Sequence, residues 1–131
     1  MIRPAMVDIH LDTSFLIRAL VLGTEESTKL SGWLRERRSI AVSAFAWGEF
    51  LCGPLGEPEK EDAGRIAHRH IPVGTEEATA AAGLFNRAGR RRGSFPDCLI
   101  AATAILSGAE LATSNVSDFE RLTDAGLEFA E

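Results

Sequence analysis

Short β-prone runs alternating with helical stretches predict an α/β sandwich, a mainly parallel sheet of about five short strands flanked by helices. The chain's 131 residues suit a single domain spanning 1–131. A chain of this size buries roughly two-thirds of its unfolded surface without staples. Its hydrophobic fraction of 45% and charged fraction of 25% are ordinary for a soluble globular fold.

The elements follow in order. Val7 to Leu11 reads as a first strand ending at Asp12, and a helix follows through Phe15, Leu16, Leu20 and Val21, closing near Gly23. Glu25 to Arg38 predicts a second helix, with Leu30, Trp33 and Leu34 at helical spacing and arginines in the last turn, where the helix dipole favours cations. Ile40 to Ser43 is the second strand, and Ala44 to Cys52 is a helix stopped by Gly53-Pro54. Pro58 to Arg69 predicts a polar helix, and Ile71 to Val73 a third strand. Thr75 is expected to cap a helix running to Arg92, with Ala78, Ala82, Phe85 and Ala88 on one face. A helix over Ser94 to Leu106, a strand at Glu110 to Thr113, a helical turn at Asp118 to Leu122 and a strand at Leu127 to Phe129 complete the chain.

A net charge of −5 argues against a protein that coats nucleic acid by bulk attraction. The basic residues nonetheless cluster, as Arg87, Arg90, Arg91 and Arg92 and as Arg35, Arg37 and Arg38; such runs are solvated helix ends or grips for RNA beside a site. Two cysteines, Cys52 and Cys98, make no disulfide framework, so they are expected as buried thiols in a reducing cytoplasm. Met1 to His10 lacks the apolar stretch of a signal peptide or membrane anchor, and Met6 is a second candidate start.

Four acids stand out. Asp12 follows the first strand, where ligands of parallel sheets gather, and Thr113, Asn115 and Asp118 follow the fourth. Asp12 and Asp118 can each cap a helix, Glu49 can be an exposed residue on an amphipathic helix, and Ser94-Phe95-Pro96-Asp97 can be a capping box. Three of only six aspartates, however, are expected at strand-to-helix junctions. Asp97 keeps apolar company, in Phe95-Pro96-Asp97-Cys98-Leu99-Ile100, and Glu49 lies in a helix too apolar to be wholly exposed. Carboxylates buried together repel unless a cation neutralises them, and hard divalent ions take oxygen ligands shared with phosphates.

These blocks carry a resemblance. Leu11-Asp12-Thr13-Ser14-Phe15-Leu16, Glu49 before Leu51-Cys52-Gly53, Asp97-Cys98-Leu99-Ile100-Ala101-Ala102 and Thr113-Ser114-Asn115-Val116-Ser117-Asp118-Phe119 resemble, in order and spacing, the four blocks of PIN domains. The similarity covers nearly the whole chain and is to the VapC toxins of type II toxin–antitoxin pairs, apart from a six-residue lead before the first strand. It implies a PIN-like three-layer sandwich and a Mg²⁺- or Mn²⁺-dependent endoribonuclease with Asp12, Glu49, Asp97 and Asp118 as metal ligands. Ser14, Thr113 and Asn115 would be polar groups facing the ligands or the phosphate. Hydrolysis would leave 5′-phosphate and 3′-hydroxyl ends. A cognate VapB-type antitoxin and a homodimer follow from the same resemblance, with Trp33 and Leu34 as interface or core. Arg90, Arg91 and Arg92, just upstream of Asp97, are candidates for flanking RNA phosphates.

Three other readings compete. A metal-independent ribonuclease needs paired histidines, and His10, His68 and His70 are the candidates. A phosphatase of the haloacid-dehalogenase type needs an aspartate two residues after Asp12, where Ser14 stands. A PIN-like fold can also serve without turnover, as an RNA- or antitoxin-binding module, or act as a stand-alone ribonuclease in RNA processing.

Overall fold

The sheet forms where the apolar runs stand. In the computed structural model, which describes residues 7–67 and 69–131, β1 (Ile9–Leu11), β2 (Ile40–Ser43), β3 (His70–Ile71) and β4 (Glu110–Ala112) make one parallel sheet in the order β3-β2-β1-β4. Met6 and His68 lie outside the described residues. Every residue of β1 and β2 is buried, without the alternation of a half-exposed sheet, so both faces are covered. The fifth predicted strand contributes a single parallel bridge, Leu111 to Phe129: Leu111 donates to the Glu128 carbonyl, and Ala130 donates back to the Leu111 carbonyl, each at 2.8 Å.

The covering helices are α1 (Thr13–Ala19), α2 (Glu25–Arg35), α3 (Ala44–Leu51), α4 (Glu57–Ile66), α5 (Thr75–Arg87), α6 (Phe95–Leu106) and the one-turn α7 (Val116–Phe119), which runs into a 3₁₀ stretch, Glu120–Ala125. Leu16, Phe50, Leu111 and Phe119 are essentially fully buried, each worth roughly 1.5–3 kcal/mol of transfer free energy. Trp33 belongs to this core: it stacks on Phe15 at 5.5 Å and is 4% exposed, whereas Leu34 beside it is 44% exposed. Among the described residues no helix is long and apolar enough to cross a membrane.

Several boundaries differ from the expectation, each for a backbone reason. β3 stops at Ile71 because Pro72 has no N–H for the ladder. The helix before it ends at Ile66, short of the predicted Arg69. Gly74, not Thr75, is the N-cap of α5, and its N–H is taken by the Glu77 carboxylate at 2.7 Å. The buried face of that helix carries Ala81 and Leu84, with Ala80, Phe85 and Ala88 partly buried; Ala78 and Ala82 are exposed. Both long helices end before their arginine clusters. After α2, Arg37 adopts φ +59 and Arg38 donates to the Trp33 carbonyl at 3.0 Å. After α5, Gly89 adopts φ +89 and Arg90 donates to the Phe85 carbonyl at 2.9 Å. Both are Schellman closures with a left-handed residue just past the helix. Cys52, expected to be buried, caps the end of α3 and is exposed; Cys98 is buried.

Candidate metal centre

The sheet order places the site. The chain moves from β1 outward to β2 and β3, then returns to the other side of β1 as β4, so the switch point lies between β1 and β4. The register pairs Leu11 with Ala112, which sets Asp12 beside Thr113 as both strands end. Asp12 donates its N–H to the Ala112 carbonyl at 3.0 Å.

Asp12 does cap α1, yet its carboxylate does more than that. Oδ1 accepts from the Phe15 N–H at 2.8 Å and the Ser14 hydroxyl at 2.9 Å, while Oδ2 accepts from the Thr113 hydroxyl. Thr113 is itself held by the Asn115 N–H at 3.0 Å, and Ser14 by the Ser114 N–H at 3.3 Å. The loop after β4 and the start of α1 are therefore tied through one carboxylate.

The other three acids come from different elements and reach the same cavity. Asp12, Glu49, Asp97 and Asp118 line one cleft of about 270 Å³, together with Ser14, Asn115 and the apolar Ile17, Ile100 and Phe119. Glu49 is exposed rather than sheltered by the apolar helix around it, and the Thr13 hydroxyl donates to its Oε1 at 2.8 Å. Asp97 stands in the first turn of a helix that follows another helix, so it is not at a strand-to-helix junction. The capping box that explained it otherwise does not form: Ser94 makes no side-chain cap and donates its hydroxyl to the Arg91 carbonyl at 2.6 Å. Asp118 lies inside α7, whose N-cap is Asn115, so it is no cap either.

The electrostatics are those of crowded carboxylates. Burial pushes the Asp97 carboxyl up to about 6, reinforced by Asp118, Asp12 and Glu49 and opposed by the Arg121 guanidinium. Burial also raises Asp12, against hydrogen bonds from Thr113, Phe15 and Ser14 that favour its ionised form. Among the described residues none of the four acids is in an ion pair; the pairs are Arg18–Glu26, Lys29–Glu25, Arg38–Glu110 and Arg65–Asp62.

This donor set fits one kind of ion. Among the described residues no three His, Cys, Asp or Glu side chains converge tightly enough to enclose a metal by themselves. That excludes a closed, all-protein cage in the present side-chain arrangement. Mg²⁺ does not require one, since it keeps several waters and takes one or two carboxylates plus substrate phosphates. An open cleft of carboxylates, two of them raised by burial and mutual repulsion, suits such a hydrated ion.

The arginines divide. Arg91 and Arg92 line a second cleft with Asp97 and Asp118, whereas Arg90 is absent from its lining and donates Nε to Asn86 at 3.1 Å. Sequence reasoning missed Arg121, which lines that second cleft, and Thr13, which holds Glu49. Arg121 stands three residues after Asp118 in a helical stretch, a spacing that puts both on one side and was readable. Neither described histidine joins the site: His10 is buried with Nε2 3.1 Å from the Ser107 hydroxyl, and the His70 ring lies tilted against Trp47 at 4.6 Å.

Comparison with known proteins agrees with the fold. No curated protein sequence matches the chain. The DNA-bound VapBC structure from Salmonella typhimurium is similar with a TM-score of 0.72 and 21% identity, over 95% of this chain and 98% of that one. A toxin–antitoxin complex from Klebsiella pneumoniae gives 0.69 and 24% identity over 86% of this chain and 90% of that one. Mycobacterium tuberculosis VapC20, a toxin that cleaves the sarcin–ricin loop, gives 0.67 and 19% identity over 94% and 98%. The PIN domain model matches residues 9–125, nearly the full length, and the chain belongs to the PIN domain family.

Proposed function

We propose that this protein is a Mg²⁺- or Mn²⁺-dependent endoribonuclease and the toxin of a VapBC-type toxin–antitoxin pair. The observation that carries the reading is the convergence of Asp12, Glu49, Asp97 and Asp118, from four separate stretches of chain, on one cleft at the switch point of the sheet. Carboxylates brought together without a salt bridge among them favour an ion that offsets their repulsion.

Asp97, Asp118 and Asp12 would hold the hydrated ion, one or two of them directly and the rest through its waters. When bound, it supplies Lewis acidity toward water and the scissile phosphate. Thr113, Ser14 and the Phe15 N–H keep the Asp12 carboxylate in one orientation, and Asn115 is exposed at the mouth to meet a phosphate oxygen. Thr13 occupies Glu49 Oε1, leaving Oε2 free to accept a proton from the attacking water. In-line attack by that water expels the 3′ oxygen, so the products carry 5′-phosphate and 3′-hydroxyl ends. The RNA 2′-hydroxyl takes no part.

The antitoxin belongs to the same proposal. Similar structures are toxin–antitoxin complexes, and in this chain the apolar Val21 and Leu22, 55% and 92% exposed, follow the helix that presents Ile17 to the cleft. A homodimer is proposed with it, its interface not including the buried Trp33.

Cleavage of a mixed RNA by purified protein, with Mg²⁺ or Mn²⁺ and with EDTA, tests the reading. Cutting should leave 5′-phosphates, stop in EDTA and stop in Asp97→Asn while that variant stays folded. Cutting that survives EDTA would overturn the mechanism.

A further inference from the structure

We propose that Arg91, Arg92 and Arg121 form a phosphate subsite that holds an RNA backbone phosphate beside the acidic cleft, with Arg121 as its fixed anchor. This deepens the ribonuclease reading and rests on it for the identity of the ligand as RNA.

Arg91, Arg92 and Arg121 line one cleft of about 200 Å³, and its remaining wall includes Ser94, Asp97 and Asp118. Asp97 and Asp118 also line the larger cleft, so the basic and acidic cavities share a wall. A phosphate held by the arginines would sit next to the carboxylates without being in their midst.

The loop is built to present two of its three arginines. Gly89 at φ +89 closes α5, and Gly93 at φ +78 sits in a turn closed by the Ser94 N–H to the Arg91 carbonyl at 3.1 Å. The Ser94 hydroxyl holds that same carbonyl at 2.6 Å. Left-handed conformations at both glycines turn the chain back onto the start of α6. Arg90, between them, is engaged by Asn86 and does not line the cleft.

Arg121 carries buried donors that go unmet. Its Nε and Nη2 are buried and have no hydrogen-bond partner among the described residues. Arg18, Arg38 and Arg65 each pair with a carboxylate, but Arg121 makes no ion pair with Asp97 or Asp118 although both line its cleft. The Cys98 thiol beside it is only a weak acceptor. Arg121 nonetheless lines the cleft, so its charge is offered there. A guanidinium so placed favours an anion, and a phosphate oxygen matches its donors.

The test is binding of a short fluorescein-labelled oligouridylate, followed by anisotropy in EDTA across a salt series, with Asp97→Asn as the parent. Arg121→Gln should weaken binding about tenfold, the scale of one charged hydrogen bond. It should also lower the salt slope by about 0.7, as expected for one lost contact to a single strand. Replacing Arg91 and Arg92 together by alanine should also lower the slope by about 0.7, since the same phosphate is lost, while Arg90→Ala should change neither quantity. Arg121→Lys should keep the slope, which a purely structural role would not require. Parent-like affinity and slope in Arg121→Gln overturn the proposal, as does a parent that shows no salt-sensitive binding. Should Arg121→Gln fail to fold by thermal melting, the Arg91 and Arg92 double variant decides, an unchanged slope overturning the subsite. Metal-dependent cleavage with unchanged slopes would sink the subsite and leave the ribonuclease reading standing. Slope losses in a protein that never cleaves RNA would do the reverse.

Discussion

Thr113 donates its hydroxyl to Asp12 Oδ2 across the gap between the two strand ends. The contact exists because β1 and β4 are neighbours in register, although the two residues are 101 positions apart in the chain. Thr113 is thereby the support of the one buried acid in the cleft, which is 4% exposed. It takes the Asn115 N–H in return, so its oxygen is used as both donor and acceptor.

Thr113→Val keeps the shape and removes that oxygen. It leaves Asp12 Oδ2 and the Asn115 N–H without this partner, which should cost about 1–3 kcal/mol of stability. If Asp12 holds the ion as proposed, loss of the group that orients it should weaken Mn²⁺ binding about 10- to 100-fold by calorimetry. Thr113→Ser should restore both. Wild-type Mn²⁺ affinity in Thr113→Val would show that Asp12 needs no such support.

Metal binding should depend on pH with a definite sign. The Asp97 carboxyl is pushed up to about 6, so below that pH an ion must displace a proton. Mn²⁺ affinity should be level above about pH 7 and fall as pH drops through 6. Asp97→Asn should bind more weakly and lose this part of the pH dependence. An affinity equally flat from pH 7 to pH 5 in the wild-type protein would remove Asp97 from the ion's ligands.

The fold was legible because its strands are short apolar runs, and Ile40–Ser43 agrees with the expectation to the residue. The four acids were legible as a pattern of spacing, and the cleft that gathers them is the consequence of strand order. What escaped the sequence was set by single backbone or side-chain choices. Arg90 to Arg92 read as the end of a helix because helical spacing does not register the left-handed turn at Gly89. Glu49 was expected to be sheltered because its neighbours are apolar, but Ala46 and Phe50 turn fully inward while Gly48 and Glu49 face out. Arg121 passed unnoticed because its significance depends on its surroundings, which leave Nε and Nη2 buried and unpaired.

Arg37 offers a test of backbone strain far from the cleft. It holds φ +59, the left-handed region that disfavours a Cβ, where the chain closes α2. Arg37→Gly should therefore stabilise the protein by up to about 1 kcal/mol, read from urea midpoints. The neighbouring Arg38–Glu110 pair at 2.8 Å should be unaffected. A loss of stability in Arg37→Gly would mean that its side chain matters more than its backbone.

His10 should make the fold acid-sensitive. It is 1% exposed in the central strand, and burial, with help from the nearby Arg69 charge, lowers its pKa from 6.5 to about 4. The unfolded chain therefore takes up the proton first, and the stability due to neutral His10 is complete above pH 6.5 and lost as pH falls toward 4. The shift corresponds to about 3 kcal/mol once the loss is complete. Asp97 and Asp12, both raised, act in the opposite sense over the acid range, since the folded chain binds their protons more tightly. Wild type and His10→Gln must therefore be compared at each pH, so that the aspartates cancel. The difference in unfolding free energy should shrink by about 3 kcal/mol between pH 7 and pH 4. A difference that stays constant would mean that His10 is not held neutral by the fold.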